Sequence, residues 1–459
     1  MNGIGQSFKN PLSLILAALT TLALLGAWQF SKESPGVDYY VAWVAADAVN
    51  NDTPHKIYDS SSRYILAVLY RNKADAQKDA PRQKQMAAYR TELHMTATPF
   101  LYWITGLLTT GDYERDLTLW HLLSLVFVTI SILVMCRLLK YSPATSLAIL
   151  LPILVWFAPL QSDLRVGNVN SFQLGLIGLI FWLQSRQANR GYLFATGLAI
   201  GLLVMFKPNL GPVALMFAGG WLVRGQFMQL GVSLAGMVTG ALTAVLTSSI
   251  WVGSATVWPD WLKFIQLVVG HSFGQKSGNY ASVSQISSSI SPLVSSSISP
   301  LGQLSTAIIL SLLCLACFWW GRRRVNASAS ELDDKNRLFV ENSLLIATGC
   351  IITMLASTLV WLHYYLLIIP MLIVALRPWQ EAGPMKFVPL MMLRVLPVVA
   401  MVILMETALP VIFGSDAKSF RSVATTVSVV TLLVVGLWQF AYGITGQVDP
   451  ELDEAPAAH

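Results

Sequence analysis

Residues 117–139 read LTLWHLLSLVFVTISILVMCRLL. This run slightly exceeds the roughly 20 apolar residues that carry a helix across hydrocarbon. Lipid offers no partner for backbone polar groups, so a run of this kind spans as a helix, which bonds them internally. Comparable runs recur near 11–30, 143–160, 171–185, 191–206, 209–223, 229–252, 301–320, 338–360, 361–376, 388–412 and 422–445. Over the 459 residues, 54% are hydrophobic and 12% charged, with a mean hydropathy of +0.58. A soluble domain carries about a quarter charged residues, so this chain has too little polar surface for a water-facing globule. A membrane β-barrel would show short alternating segments instead. The expected fold is all-α integral membrane, one bundle of about 10–13 transmembrane helices over residues 1–445. Residues 446–459 form an acidic tail.

The net charge of +6 does not point to nucleic acid, because no basic run coincides with stacking aromatics. The basic residues cluster at span ends, as the positive-inside rule requires. With a cytoplasmic N-terminus, twelve Lys and Arg of the short loops face the cytoplasm, among them Arg186, Arg224, Arg322 and Arg337. Six face outward: Arg165, Lys207, Lys263, Lys276, Lys418 and Arg421. Both termini are therefore expected on the cytoplasmic side of an inner (plasma) membrane, with the active site on the extracytoplasmic face. The run 11–30 lacks a small-residue cleavage site and reads as a retained first span. Cys136, Cys314, Cys317 and Cys350 all lie in apolar runs, and the spacing of Cys314 and Cys317 reads as one turn of a helix face.

Two outward segments exceed what a connector needs, 31–116 and 253–300. The first ends in an apolar run, Thr98 to Leu108, too short to span and read as an interfacial or re-entrant helix. The second holds Trp258 and Trp261, aromatics suited to the headgroup belt. It continues into a Ser-rich stretch, 277–299, read as either a flexible tether or a lid.

Asp38, Arg165, Asn168, Asn170, Gln173, Lys207, Asn279 and His363 all fall near outer span ends. Ionisable groups at membrane depth are costly and tend to be functional. Each also has a structural reading: a solvated carboxylate for Asp38, snorkelling for Lys207, turn chemistry for the asparagines and a belt anchor for His363. Together they supply one carboxylate and several cations or hydrogen-bond donors. Glycosyl transfer from a lipid phosphate needs that set. A carboxylate takes the proton of the attacking hydroxyl, and cations meet charge developing on the leaving phosphate. No Asp-Asp pair or His/Cys cluster suggests a metal, and no cofactor is expected.

Four patches resemble glycosyltransferase family 87, the polyprenol-phosphate-mannose-dependent mannosyltransferases of the GT-C superfamily. Asp38-Tyr39-Tyr40 with Ile57-Tyr58-Asp59 resembles an acidic motif and a downstream Gly-x-x-Tyr. Thr98-Pro99-Phe100-Leu101-Tyr102 resembles a Tyr-Pro-Pro segment. Gly167-Asn168-Val169-Asn170 resembles Gly-Gln-x-Asn, and Gly201 to Lys207-Pro208 a Gly-rich span ending in Lys-Pro. Gly278-Asn279-Tyr280-Ala281-Ser282 and His363-Tyr364-Tyr365 resemble Gly-Asn-x-Ser and His-Tyr-Tyr. Asn168 and Phe100 depart from the pattern, and the Gly of Gly-x-x-Tyr is absent.

The resemblance implies Asp38 as catalytic base, His363 as a catalytic-site histidine and Lys207 near the phosphate; Arg165 and His363 are also expected to hold the phosphate. Asn168, Asn170, Gln173, Asn279, Tyr39 and Tyr364 are expected to contact sugar or acceptor. The implied activity is an inverting transfer of a hexose, mannose by resemblance, from a polyprenyl phosphate to a lipid-linked or envelope glycan. The rival classes are a secondary transporter, which would show internal repeats, and a non-catalytic assembly protein.

Overall fold

The computed structural model describes residues 11–51, 57–59, 61–186, 189–270, 300–325, 331–357, 360–377, 387–405 and 417–441. Among these the chain is helical, with one isolated bridge between Phe157 and Met405. In chain order the helices are α1 (Pro11–Glu33), α2 (Val37–Asn50), α3 (Ser62–Ala76), α4 (Pro81–Tyr89), α5 (Pro99–Leu108) and α6 (Tyr113–Leu138). Then follow α7 (Pro143–Trp156), α8 (Ala158–Val166), α9 (Asn170–Gln184), α10 (Arg190–Phe206), α11 (Gly211–Val223) and α12 (Phe227–Val252). The last are α13 (Val257–Gly270), α14 (Pro300–Val325), α15 (Glu331–Ala356), α16 (Ile369–Ala375), α17 (Phe387–Ile403) and α18 (Ala417–Ala441). Short 3₁₀ turns, Pro208–Leu210 and Leu362–Ile368, precede α11 and α16.

Every apolar segment expected from the sequence contains helix. Among the described residues, five helices are long and apolar enough to cross a membrane: α1, α6, α12, and the central parts of α14 and α15. A sixth crossing arises if α8 and α9, bent by 118°, form one broken span. Shorter apolar stretches of 10–17 residues make up the rest, with α17 and α18 counted over Arg394–Ile403 and Thr425–Phe440.

α12 shows how sequence sets orientation in the bundle. Leu234, Val238, Leu242, Leu246 and Ile250 recur every four residues and are all exposed, a stripe for lipid. Its opposite face buries Ser233, Gly236, Gly240, Ala244 and Ser248. Those small residues let the α10 backbone approach. A Cβ on Gly236 would lie 2.2 Å from the Phe194 carbonyl oxygen, and one on Gly201 2.2 Å from that of Met237. Both helices therefore need glycine at their crossing.

The segment 31–116 is not an open loop; α2 to α5 build a second apolar core with α13, distinct from the core inside the bundle. Trp43 is stacked edge-on against Tyr70 and Tyr113, with ring centroids 5.5 and 5.2 Å away. Its indole donates to Asp116 at 2.9 Å, and Asp116 also accepts from the Thr110 amide at 2.8 Å. Asp47 is buried but satisfied by Tyr70 at 2.6 Å and Lys73 at 3.3 Å. Arg82 pairs with Glu114. Paired this way, buried charges are tolerated.

The apolar run ending this segment forms α5, capped by Thr98, whose hydroxyl accepts from the Leu101 amide at 3.1 Å. The same hydroxyl donates to the Phe206 carbonyl at 3.2 Å, tying α5 to the end of α10. The tryptophans of α13 depart from the belt expectation. Trp258 and Trp261 are buried and donate to Ser248 at 3.0 Å and the Thr96 carbonyl at 3.1 Å. A buried indole N–H needs a hydrogen-bond partner, and here the protein supplies one to each.

Residues expected on opposite sides gather at opposite ends. Asp38, Asn168 and His363 meet at one end of the bundle. Arg224, Arg322 and Arg337 belong to one polar network at the other, which also takes in Gln184.

Candidate active site

The site begins with a turn. α8 ends at Gly167 in the left-handed conformation, φ 66°. The Gly167 amide donates to the Leu164 carbonyl at 3.3 Å and the Asn168 amide to that of Asp163 at 3.1 Å. This pair of bonds is the Schellman closure of a helix C-terminus, which favours glycine. The turn docks on the start of α2: a Cβ on Gly167 would lie 2.7 Å from the Tyr39 Cβ, and the Gly36 amide donates to the Arg165 carbonyl at 3.3 Å. Gly36 is itself left-handed, φ 71°, and the Tyr113 hydroxyl donates to the Pro35 carbonyl beside it at 2.6 Å.

Docked so, the turn delivers Asn168 to Asp38. The Asn168 amide donates to Asp38 Oδ2 at 2.7 Å. Asn168 Oδ1 is fixed in turn by the Val169 amide at 2.8 Å and the Asn170 amide at 3.0 Å. Arg90 Nη2 lies 3.6 Å from Asp38 Oδ1, and His363 Nε2 lies 3.9 Å from Asp38 Oδ2. The carboxylate keeps 38% of its side-chain surface exposed, so one side stays open. Burial pushes the Asp38 carboxyl above its usual value, while the Asn168 hydrogen bond, Arg90 and Lys207 pull it back. It is a stronger base than an ordinary surface aspartate.

A second carboxylate lies behind the first. Asp163, fully enclosed, accepts from Asn170 at 2.9 Å, from the Ser171 amide at 3.2 Å and from the Ser171 hydroxyl. It fixes the start of α9 and so the Asn170 and Asn168 side chains. Lys207, in the turn between α10 and α11, reaches Asn170 Oδ1 at 3.5 Å and lies 3.7 Å from the centroid of the Tyr364 ring. Burial pushes its ammonium down to about 8, opposed by Asp163 and Asp38. Among the described residues no three His, Cys, Asp or Glu converge as metal ligands.

Of the residues expected from the sequence, Asp38, Asn168, Asn170, Lys207, His363 and Tyr364 come together. His363 is buried, its Nε2 makes no hydrogen bond, and its ring meets Tyr364 edge-on at 4.8 Å. Gln173 lies one turn further along α9, buried, with both amide atoms unpartnered. Arg165 is exposed on the last turn of α8, and it is its carbonyl that joins the framework. Tyr39 is buried behind Asp38, 4.9 Å from the Trp120 ring. Asn279 and the Ser-rich stretch 277–299 lie outside the described residues, as does the acidic tail.

Sequence reasoning missed Asp163 and Arg90. Asp163 carried a signal: an acid two residues before Arg165, just past the apolar run 143–160. Arg90 carried none, being one of several basic residues along 63–90.

Residues 96–333 match the model of glycosyltransferase family 87, just over half of the 459 residues. The chain belongs to glycosyltransferase family 87. Its described residues are helical with several candidate membrane spans, and the chain is a membrane glycosyltransferase. The family 87 match contains Asp163, Arg165, Asn168, Asn170, Gln173 and Lys207; Asp38 and His363 lie outside it and reach the site through the fold. Among solved structures, ArnT from Cupriavidus metallidurans in the apo state aligns over 94% of this chain and 77% of its own, at 13% identity and a TM-score of 0.35. That likeness is too distant to inform the site. The search of curated proteins gave no match.

Proposed function

We propose that this family 87 enzyme transfers a hexose, mannose in the first instance, from a polyprenyl-phosphate donor to a lipid-linked or envelope-glycan acceptor, with inversion. The observation that carries the reading is the setting of Asp38. A raised but accessible carboxylate is held by Asn168 at 2.7 Å, with Arg90 and His363 within 4 Å. Asp38 takes the proton of the acceptor hydroxyl as its oxygen bonds to the anomeric carbon. The bond from that carbon to the phosphate oxygen breaks from the opposite face, and the electron pair leaves on the polyprenyl phosphate. Lys207 and His363, with Arg165 at the rim, meet the charge growing on the phosphate. Asn168, Asn170, Gln173, Tyr364 and Asn279 contact sugar or acceptor, and the polyprenyl tail lies against the apolar helix faces.

The site faces away from the cytoplasm of an inner-membrane protein with both termini inside, in accord with the clustering of the loop arginines at the opposite end. Residues 1–445 act as one unit, including the segments 31–116 and 253–300.

The test is a donor panel. Purified protein is given labelled polyprenyl phosphates carrying different sugars, with an envelope lipid extract as acceptor. Transfer from polyprenyl-phosphate mannose, with product of opposite anomeric configuration, is expected. Transfer from a nucleotide sugar but from no polyprenyl phosphate would overturn the donor assignment, and retained configuration would overturn the mechanism.

A further inference from the structure

The end of the bundle away from Asp38 carries a polar centre that sugar transfer does not use. Glu341 of α15 takes three guanidiniums on one carboxylate: Arg322 at 2.8 Å, Arg224 at 3.0 Å and Arg337 at 3.0 Å. Among the described side chains, three positive charges meet one negative in this cluster. Arg224 is fully enclosed, donates to Asn342 at 2.8 Å, and Asn342 donates to Gln184 at 2.8 Å. Burying unbalanced cations is costly unless an anion comes to them. Arg322 keeps 23% of its side chain exposed, and its neighbour Arg323 is exposed and lies 3.8 Å from the centroid of the Trp319 ring. Trp319 and Trp320 are half-exposed, as aromatics at a headgroup level are.

An apolar cleft of about 250 Å³ lies between α11, α12 and α14. Leu215, Leu222, Leu234 and Leu312 line it, and all four are exposed on the surface that lipid covers. Leu222 is two residues from Arg224, and Leu315 in the same lining is about 10 Å along α14 from Arg322 at 1.5 Å per residue. Ser311 also lines the cleft, 3% exposed, and its buried hydroxyl has no hydrogen-bond partner. An apolar slot with one unmet polar group, about two helical turns along α14 from a cluster of arginines, suits one amphiphile.

We propose that the cleft holds an acyl chain of an anionic phospholipid whose phosphate is bound by Arg322 and Arg323. The lipid would fasten α14 to α11 and α12. The polyprenyl donor is not the occupant. On the proposed function its phosphate must reach Lys207 and His363 at the other end, and α9 alone separates the two polar centres by about 21 Å between Asn170 and Gln184.

The test uses the full chain purified in neutral detergent, titrated with phosphatidylglycerol or phosphatidylcholine, read by native mass spectrometry and thermal unfolding. Phosphatidylglycerol is expected to bind and raise the unfolding temperature, with phosphatidylcholine at least tenfold weaker. Arg322→Gln should weaken phosphatidylglycerol about tenfold or more, the effect of one lost charge-assisted hydrogen bond. Ala218→Trp, which fills the cleft, should abolish the response, and Arg115→Gln at the other end should leave it unchanged. If Arg322→Gln does not fold, Arg323→Gln, exposed and outside the Glu341 cluster, makes the same comparison. Equal binding of both lipids, or a response undiminished in the arginine and Ala218→Trp variants, would overturn the proposal. So would displacement of phosphatidylglycerol by stoichiometric polyprenyl phosphate.

Discussion

Replacing Gly167 by Ala tests whether the α8–α9 turn sets the position of Asp38. Two costs add. A left-handed alanine costs about 1–2 kcal/mol, and Gly167 has φ 66°. The new Cβ would also lie 2.7 Å from the Tyr39 Cβ. Carbon pairs rest at about 3.5–4.0 Å, so Tyr39 must withdraw by about 0.8 Å or more, adding ~1–3 kcal/mol of overpacking. Tyr39 is the neighbour of Asp38 on the first turn of α2. Its retreat carries Asp38 away from Asn168, across the interface that the 2.7 Å hydrogen bond spans. A misplacement near 1 Å costs about 10²-fold in rate. Gly253→Ala is the control: φ is 70°, yet nothing lies within 4 Å of the new Cβ. Labelled-sugar transfer and thermal unfolding should be measured on both. The expected result is a stability loss in each, larger in Gly167→Ala, with kcat/KM falling about 10²-fold in Gly167→Ala alone. Activity within twofold of wild type in Gly167→Ala would refute the coupling between turn and carboxylate.

The pH profile of kcat/KM should be a bell. Activity rises as Asp38 loses its proton, above the ordinary aspartate range because burial raises it, and falls as Lys207 loses its own near pH 8. Lys207→Arg should move the alkaline limb up by more than one pH unit, and an unmoved limb would remove Lys207 from it. Asp163→Asn turns an acceptor into a donor facing the Asn170 amide. Thermal unfolding should show a loss of about 1–3 kcal/mol, with kcat/KM falling as Asn168 loses its support. Gly236→Leu should lower the unfolding temperature in detergent by forcing α12 off the Phe194 carbonyl, whereas Gly26→Leu, with nothing within 4 Å, should not.

Hydropathy placed the helices because crossing lipid imposes one length and one backbone solution. It could not place their ends against each other, and several segments read as full spans are short: α7 has 14 residues and α11 13. The convergence of Asp38, Asn168, Lys207 and His363 was legible because polar residues stand out against apolar helices, and the parity of the spans assigns them one side. Asp163 stood out as an acid, but its role was hidden, because that role is contact with the side chain of Asn170, seven positions on, across a chain reversal that composition does not record. Arg90 was hidden among similar cations in 31–116, whose polarity suggested a loop. That segment instead folds on Trp43, Tyr70 and Tyr113, with its buried acids paired. Trp258 and Trp261 show the same limit: their type fits an interface or a core equally, and only their partners decide.

The most direct test of the account is sugar transfer by Asp38→Asn. Asparagine keeps the size of the side chain and can still accept from Asn168 but cannot take the acceptor proton. Wild type and variant, matched for thermal stability, should be given labelled polyprenyl-phosphate mannose and envelope lipid acceptor. The account predicts a fall in kcat of about 10²–10⁴-fold with donor binding retained. Equal transfer by the two proteins would contradict it and remove Asp38 from the reaction.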